Sequence, residues 1–263
     1  MSSESPVHWA KAYPPAAGQM QSPVDIRTRV VSQDPQLLQR PLSWTYVPEN
    51  CKAVLNTGEG WKVLVEGQGS CLTGGPLEHS YQLIQFHCHW GKCCSSGSEH
   101  KVDGKAFAGE LHLVHWNVDL YNSLEEAIAS PKGLAVIGIF FQVGKDDHKE
   151  LCKITELLHE LPRKGDECAL TKEVDPSQFI PEVHDYWTYD GSLTTPPCHE
   201  SVTWLVFKKP VEVSEEQLDK FRCMSSTSSP KAILNGEPVP GKCLQNVRPV
   251  QPLNDRIIRE APY

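Results

Sequence analysis

The chain has 263 residues, of which 39% are hydrophobic and 22% are charged. This composition is typical of a globular protein and excludes general disorder, and the length allows one or two domains. The formal net charge of −8 argues against a nucleic-acid partner, because binding to the phosphate backbone needs a basic surface.

The two ends of the sequence carry no recognisable targeting signal. Residues 1–6 (MSSESP) lack the basic and apolar regions of a secretory signal, and the last eight residues do not resemble a lipid-anchor tail. The longest apolar run, 134–141, is too short to span a bilayer and suits a buried strand. We therefore expect a cytoplasmic protein with no membrane insertion, whose ten cysteines are reduced thiols.

The predicted elements are mostly strands. Residues 1–40 are rich in Pro and Gln and predict irregular coil, and a hairpin follows with strands at 53–56 and 61–66. Further strands are predicted at 81–90, 110–118, 134–143 and 202–207.

Helices are predicted to be short and peripheral. Capping boxes begin at Ser123 and Ser214, and five apolar residues between 151 and 161 share one helical face. Central strands with helices at the rim predict a β-rich α+β domain.

Histidines are concentrated in one part of the chain, with six of the eleven between positions 79 and 115. His87 and His89 lie two apart on one predicted strand, so both imidazoles face the same way. His112 lies on the next predicted strand, and if the two strands are neighbours the three imidazoles can converge. Three neutral histidines with an open fourth position are the ligand set of a catalytic zinc site. Alternatively, they are hydrogen-bonded core residues.

Two further patterns bear on this hypothesis. Gln85 and Glu110 each precede a histidine by two residues, share its strand face, and are acceptors of the kind that orient metal-bound imidazoles. A rival zinc site would use Cys88, Cys93 and Cys94. However, Cys88 alternates with the histidines and should face the other way, which favours small apolar or turn residues.

The segment 186–197 (YWTYDGSLTTPP) ends in two threonines before a Pro-Pro pair. Proline cannot extend a regular ladder, so such a loop can fix a hydroxyl rigidly beside a metal-bound ligand. In isolation it would be an ordinary turn. Thr194 becomes a candidate only together with the histidines.

Four motifs in this order resemble the α-class carbonic anhydrases: 85–91 (QFHCHWG), 97–100 (GSEH), 110–117 (ELHLVHWN) and 186–197. Residues 21–26 (QSPVDI) and 248–253 (RPVQPL) extend the similarity nearly end to end, and the chain looks most like a cytosolic, animal-type member.

The resemblance implies one domain over residues 1–263, with 1–7 flexible, built on a large, twisted, mostly antiparallel central sheet. It implies one zinc per chain, held by His87, His89 and His112, with Gln85 and Glu110 behind them. The implied activity is that of a lyase in pH regulation: reversible hydration of CO2 to bicarbonate and a proton by attack of zinc-bound hydroxide. Carbonic anhydrase is the standard example of zinc lowering the pKa of its bound water.

The resemblance also implies roles around the metal. Thr194 would accept a hydrogen bond from the hydroxide and pass its own to Glu99, which orients the attack, and Thr195 would help to hold bicarbonate. CO2 would meet an apolar wall, although the same residues are also expected of sheet core. That wall consists of Val114, Val136, Leu193, Val202 and Trp204. His100 would be structural, bonded to Tyr189.

Three features depart from the family pattern. The usual Trp-Gly-Tyr segment ahead of His8 is absent. Secreted members pair a cysteine at position 198 with one near 16, but Ala16 cannot pair, so Cys198 should be free. Glu59 occupies the position of the proton-shuttling histidine, and a carboxylate is a weaker base than an imidazole.

Two other functions compete with the active lyase. A catalytically silent relative would lack a ligand histidine, and all three are present. An unrelated metal hydrolase on a (β/α)8 barrel would need alternating strands and helices. The expected partners are CO2, bicarbonate and sulfonamide inhibitors, the expected oligomeric state is a monomer, and ester hydrolysis is a possible side activity.

Overall fold

The computed structural model describes residues 9–226 and 242–261, together with the backbone of two short strands between them. The predicted flexible segment 1–7 lies outside the described residues. Over the described part the α-helices are α1 (Trp9–Ala12), α2 (Gln36–Gln39), α3 (Leu124–Ile128), α4 (Lys149–Thr155) and α5 (Glu215–Arg222). Turns of 3-10 helix lie at Pro14–Ala17, Thr28–Val30, Pro48–Asn50, Leu158–Glu160 and Pro176–Phe179.

Strands dominate the described residues. They are β1 (Asp25–Ile26), β2 (Ser32–Gln33), β3 (Ser43–Thr45), β4 (Cys51–Asn56), β5 (Trp61–Val65), β6 (Cys71–Gly74), β7 (Leu77–Trp90), β8 (Lys101–Val102), β9 (Gly109–Asn117), β10 (Leu134–Val143), β11 (Glu167–Ala169), β12 (Tyr186–Gly191), β13 (Val202–Phe207), β14 (Val211–Val213), β15 (Ile233–Leu234), β16 (Glu237–Pro238) and β17 (Arg259–Glu260).

One 13-stranded sheet organises the molecule, in the order β11-β4-β5-β7-β9-β10-β13-β12-β17-β2, with β14 on β10, β6 on β7 and β3 on β6. Most of its pairings are antiparallel, and the parallel ones are β10 with β13, β10 with β14, and β17 with β2. The predicted mostly antiparallel central sheet is therefore confirmed. A (β/α)8 barrel, which needs a closed parallel sheet, is excluded for this chain.

The central strands are buried on both faces because each face carries its own apolar cluster. Strand β10 is buried from Leu134 to Phe141, as its near-continuous apolar sequence requires. Cys88, Leu111 and Ile137 belong to the larger cluster on one face. Val114 belongs to the smaller cluster on the other face, which the histidines share.

The predicted strands are confirmed, with β7 starting four residues earlier than expected, at Leu77. The hairpin of β4 and β5 is also confirmed, and Thr57 closes its turn by donating its backbone N–H to the Gly60 carbonyl over 2.8 Å. Gly58 has a φ of +83° in that turn, a conformation that favours glycine.

The helix predictions hold in part. Ser214 and Gln217 form the full capping box of α5, whereas Ser123 only accepts from the Glu126 N–H, since the Glu126 carboxylate binds Asn122 instead. The apolar face predicted over 151–161 is buried, but α4 ends at Thr155 and a 3-10 turn follows. From Trp9 onward, the predicted N-terminal coil contains only elements of two to four residues. No described helix combines the length and apolarity needed to cross a membrane.

Candidate metal centre and active site

Strands β7 and β9 bring the three predicted ligand histidines together. They pair antiparallel with His87 directly opposite His112, and His89 follows His87 on the same face. The ring centroids are 5.0 Å apart for His87 and His89, 5.2 Å for His87 and His112, and 4.6 Å for His89 and His112. One ring nitrogen from each lies within 4.8 Å of the other two. The convergence predicted from spacing is therefore present.

One ring nitrogen of each of these imidazoles donates a hydrogen bond to an acceptor. His87 Nδ1 donates to Gln85 Oε1 over 2.8 Å, and His112 Nε2 donates to Glu110 Oε1 over 2.8 Å. His89 Nδ1 donates to the backbone carbonyl of Asn246 over 2.8 Å. Since an acceptor fixes the proton on the nitrogen facing it, the neutral rings present bare nitrogens to one another: Nε2 of His87 and His89, and Nδ1 of His112.

These bare nitrogens fit a zinc ion. The Nε2 atoms of His87 and His89 are 3.2 Å apart, and two nitrogens bound to one tetrahedral zinc at about 2.0–2.1 Å are separated by about 3.3 Å. The buried Oε2 of Glu99 also lies 3.3 Å from His89 Nε2 and has no hydrogen-bond partner among the described residues. A cation between such electron-rich atoms would relieve their mutual repulsion.

Burial favours the neutral, metal-binding form of these rings. Burial lowers the pKa of His87 well below its ordinary value, and the neighbouring His89, His112 and Lys62 lower it further. Burial also lowers the pKa of His112, although Glu110 opposes that shift. Because only the unprotonated nitrogen can bind a metal, both shifts keep the site available near neutral pH.

Glu110 is fully buried and accepts four hydrogen bonds, all from nitrogen. They come from the backbone N–H groups of Glu99 and His100, from His100 Nδ1, and from His112 Nε2, over 2.7–2.9 Å. Gly138 leaves room for this carboxylate, because a Cβ there would lie 3.2 Å from Glu110 Oε1. The other nitrogen of His100 contacts the Tyr189 hydroxyl over 2.6 Å, which confirms its predicted partner.

His87 and His89 open onto a cavity of about 540 Å³. Its lining includes His87, His89, Glu99, Thr194, Thr195, Glu59 and Lys62. Predicted residues from distant parts of the chain therefore share one space. Glu59 is exposed there, at the hairpin turn, and its backbone carbonyl accepts from Asn246 Nδ2 over 2.8 Å.

Thr194 is 5% exposed and Thr195 is exposed, in the loop after β12. The loop is held by the Leu193 N–H donating to the His199 carbonyl over 3.0 Å and contains the cis Pro196–Pro197 bond. Glu99 Oε1 accepts from the Arg248 N–H over 2.8 Å. Since Glu99 Oε2 has no partner among the described residues, the bond predicted from Thr194 is not formed to that oxygen here.

The predicted apolar wall lies in the smaller apolar cluster beside the histidines. Val114, Val136, Val202 and Trp204 are at most 5% exposed, and Leu193 packs against them. The ring of Trp204 lies 4.8 Å from that of His112, but none of the five lines the 540 Å³ cavity. The structure therefore places all five residues in sheet core beside the histidines.

The cysteines form no second metal site among the described residues. Cys88 is buried on the opposite face from the histidines, as alternation predicts, and Cys93 is exposed. No cysteine belongs to either cluster of three close ligand atoms found in the described chain. All ten cysteines are free thiols, Cys198 among them.

Three contributors to the site were not predicted from sequence. The Asn246 carbonyl and the Arg248 N–H are backbone groups that any residue could supply, so only the tertiary structure reveals them. Gly138 lies directly opposite His112 in the register of β10 with β9. A glycine inside an apolar strand often marks the close approach of another group, and this was the sequence feature that could have revealed its role.

Comparison with known proteins gives one consistent family. A model of the eukaryotic-type carbonic anhydrases matches residues 4–262. The chain is 44% identical to carbonic anhydrase 1 of Mus musculus over 98% of its length and 95% of the relative's. It is 42% identical to carbonic anhydrase 3 of Mus musculus and 43% identical to that of Homo sapiens, with the same coverage. The chain therefore belongs to the eukaryotic-type carbonic anhydrases, zinc-dependent lyases that hydrate CO2 reversibly to bicarbonate.

Proposed function

We propose that His87, His89 and His112 hold the single zinc ion of this lyase through His87 Nε2, His89 Nε2 and His112 Nδ1. The observation that carries the proposal is the convergence of three bare ring nitrogens whose opposite nitrogens are all bonded to acceptors. When bound, zinc would act as a Lewis acid that lowers the pKa of water into the neutral range.

The residues behind the ligands orient them. Gln85 and Glu110 hold the rings of His87 and His112, as the Asn246 carbonyl holds that of His89. Because Glu110 is itself fixed by two backbone N–H groups and by His100, the His112 ring cannot rotate freely. A preset ring orientation raises metal affinity, since no ordering is needed on binding.

Thr194 and Glu99 form the orienting pair of the reaction. Glu99, whose Oε2 has no partner among the described residues, and the buried Thr194 line the same cavity as His87 and His89. Donation from the Thr194 hydroxyl to Glu99 would leave the threonine oxygen as an acceptor only, which selects the direction of attack on CO2. Thr195, at the exposed end of the loop, would hold bicarbonate.

The neutral substrate has no charge to bind, so it needs apolar contact. Val114, Val136, Leu193, Val202 and Trp204 would supply that contact, and the closeness of Trp204 to His112 supports this role. Glu59, exposed at the cavity rim, would accept the proton that the site must release in each turnover.

The remaining proposals concern the whole chain. Residues 1–263 form a single domain that acts as a monomer in the cytoplasm, and the ten free thiols support that compartment. Sulfonamides are inhibitors, because an ionised sulfonamide nitrogen suits an open fourth position on zinc. Inhibition of CO2 hydration by a sulfonamide at micromolar concentration is the expected result, and its absence would contradict this part.

Zinc analysis of paired variants tests the ligand assignment. We expect about one zinc per chain in the natural protein and in the folded fraction of His115→Ala, but almost none in His112→Ala. Both histidines are buried on β9, yet His115 belongs to neither group of ligand atoms and instead contacts the Tyr46 hydroxyl and the Ala135 carbonyl. Stopped-flow CO2 hydration should be lost with the zinc. Full zinc in folded His112→Ala would contradict the assignment.

A further inference from the structure

Lys62 stands next to the proposed metal centre and has no role in the reaction described so far. It pairs directly with His87 in the register of β5 with β7. Directly paired residues have side chains on the same face of a sheet, about 4.5–5.5 Å apart at Cβ. Lys62 is half-buried and lines the same cavity as His87.

Among the described residues, no carboxylate neutralises the charge of Lys62. It forms no ion pair or hydrogen bond with a described residue through its ammonium group, whereas Lys132, Lys153 and Lys172 each have a carboxylate partner. Over the described part of the chain, Lys62 therefore presents an unpaired positive charge next to His87.

The cavity differs in charge from the rest of the protein. Among the described residues its lining carries three cations and two carboxylates, which are Lys62, Lys242, Arg248, Glu59 and Glu99. The chain as a whole has a formal charge of −8. A concave site with local positive charge on an acidic protein concentrates anions that the surrounding surface would repel.

We propose that Lys62 is a specificity-determining residue that selects small monovalent anions, bicarbonate above all, at the metal centre. This inference rests on the proposed function, because it assigns the ammonium group to the charged partner of the reaction and leaves CO2 to apolar contact. Arg248 cannot take this role, since its guanidinium is bonded to Gln21 and the Ser22 carbonyl.

The equilibrium constant of the reaction limits which kinetic constants can reveal the role of Lys62. A single residue cannot change the ratio of the two kcat/KM values, which the overall equilibrium fixes. Loss of Lys62 must therefore appear in the affinity for bound anions: a higher KM for bicarbonate, with the ratio unchanged, and weaker binding of inert anions. If Lys62 had only a structural role, its replacement would not weaken anion binding while leaving the metal site intact.

The test is a thiocyanate titration of the cobalt-loaded protein, followed by its visible absorption spectrum. Lys62→Gln should bind thiocyanate about threefold to tenfold more weakly, as expected for one partly screened charge. Lys62→Arg, which keeps the charge, should stay within about twofold of the natural protein. Lys52→Gln is the matched control, because Lys52 lies on β4 of the same hairpin, is exposed and does not line the cavity. The KM for bicarbonate should follow the same order.

The outcomes separate this inference from the proposed function. Unchanged thiocyanate affinity in a cobalt-loaded, active Lys62→Gln protein would overturn the role of Lys62 and leave the lyase assignment standing. An equal loss in Lys52→Gln would also overturn it, since the effect would then belong to net charge. A natural protein that takes up no cobalt would contradict the ligand assignment and, with it, this inference.

Discussion

Two clusters of three ligand-type side chains share His112, and they differ in what their nitrogens do. In the first, His87, His89 and His112 point bare nitrogens at one another. In the second, the remaining atoms of His100 and Glu110 are already bonded to one another, to backbone N–H groups and to Tyr189. The comparison teaches that close ligand atoms are not sufficient for a metal site: they must also be free of other partners.

The largest contrast should come from removing one histidine of each cluster. His89→Ala should weaken zinc binding by about a thousandfold, since it removes one of three direct ligands. His100→Gln should keep about one zinc per chain but lose about 2–4 kcal/mol of unfolding free energy, because buried partners are left unsatisfied. Competition with a chelator measures the first and urea denaturation the second. Equal zinc loss in both folded variants would erase the distinction between the clusters.

Glu110 connects the two clusters, so Glu110→Gln should affect both. We expect zinc affinity to fall about tenfold to a hundredfold, as for other residues that orient a ligand. Stability should also fall, because an amide cannot accept all four N–H donors that the carboxylate accepts. Gln85→Ala is the useful control, since the one hydrogen bond of the Gln85 side chain among the described residues is to His87, and its loss should weaken zinc binding with little loss of stability. Undiminished zinc affinity in Glu110→Gln would refute the orienting role.

His115 lies on the same strand but outside both clusters, and it should govern part of the acid sensitivity. Burial lowers its pKa to about 4, whereas an unfolded histidine titrates near 6.5. The unfolded state therefore binds the proton more readily between these values. The stability from neutral His115 is complete above about pH 6.5 and is lost as the pH falls toward 4, by about 3 kcal/mol. Urea unfolding from pH 7.5 to 4.5 should show this loss of unfolding free energy in the natural protein but not in His115→Gln. If the unfolding free energies of the two proteins fell in parallel with pH, the role assigned to His115 would be contradicted.

The smallest predicted effect concerns the cavity rim rather than the clusters. Glu59→His should raise kcat at low buffer concentration by about tenfold, because imidazole exchanges protons near neutral pH more readily than a carboxylate. The kcat/KM should stay nearly constant, since the residues around the metal are unchanged. Stopped-flow assays with and without added imidazole measure this. A natural protein whose kcat is already high and independent of buffer would show that another group carries the proton.

The sequence predicts the first cluster better than the second. Two-residue spacing on a strand placed His87 and His89 together, and the two-residue offsets of Gln85 and Glu110 indicated their partners. The predicted strands agree with the observed ones because the alternation of polar and apolar residues, and apolar runs, are local features of the sequence. The second cluster was visible only in part, since the resemblance paired His100 with Tyr189 but gave no hint of its contact with Glu110.

What remained hidden depends on contacts between distant parts of the chain. The Asn246 carbonyl reaches His89 across 157 positions, and a backbone group leaves no mark in composition. From sequence alone, Lys62 is an ordinary polar residue of a strand, and only its register with His87 places it near the histidines. The end of α4 at Thr155 was also missed, because the apolar face continues through the 3-10 turn that follows.

The central claim, that the free nitrogens of the first cluster hold the metal, is tested most directly by crystals of the zinc-loaded protein. An anomalous-difference map at the zinc edge should show one peak at about 2.0–2.1 Å from His87 Nε2, His89 Nε2 and His112 Nδ1. No peak should lie between His100 and Glu110. A peak at the second cluster or at a cysteine, with none between the three histidines, would contradict the account.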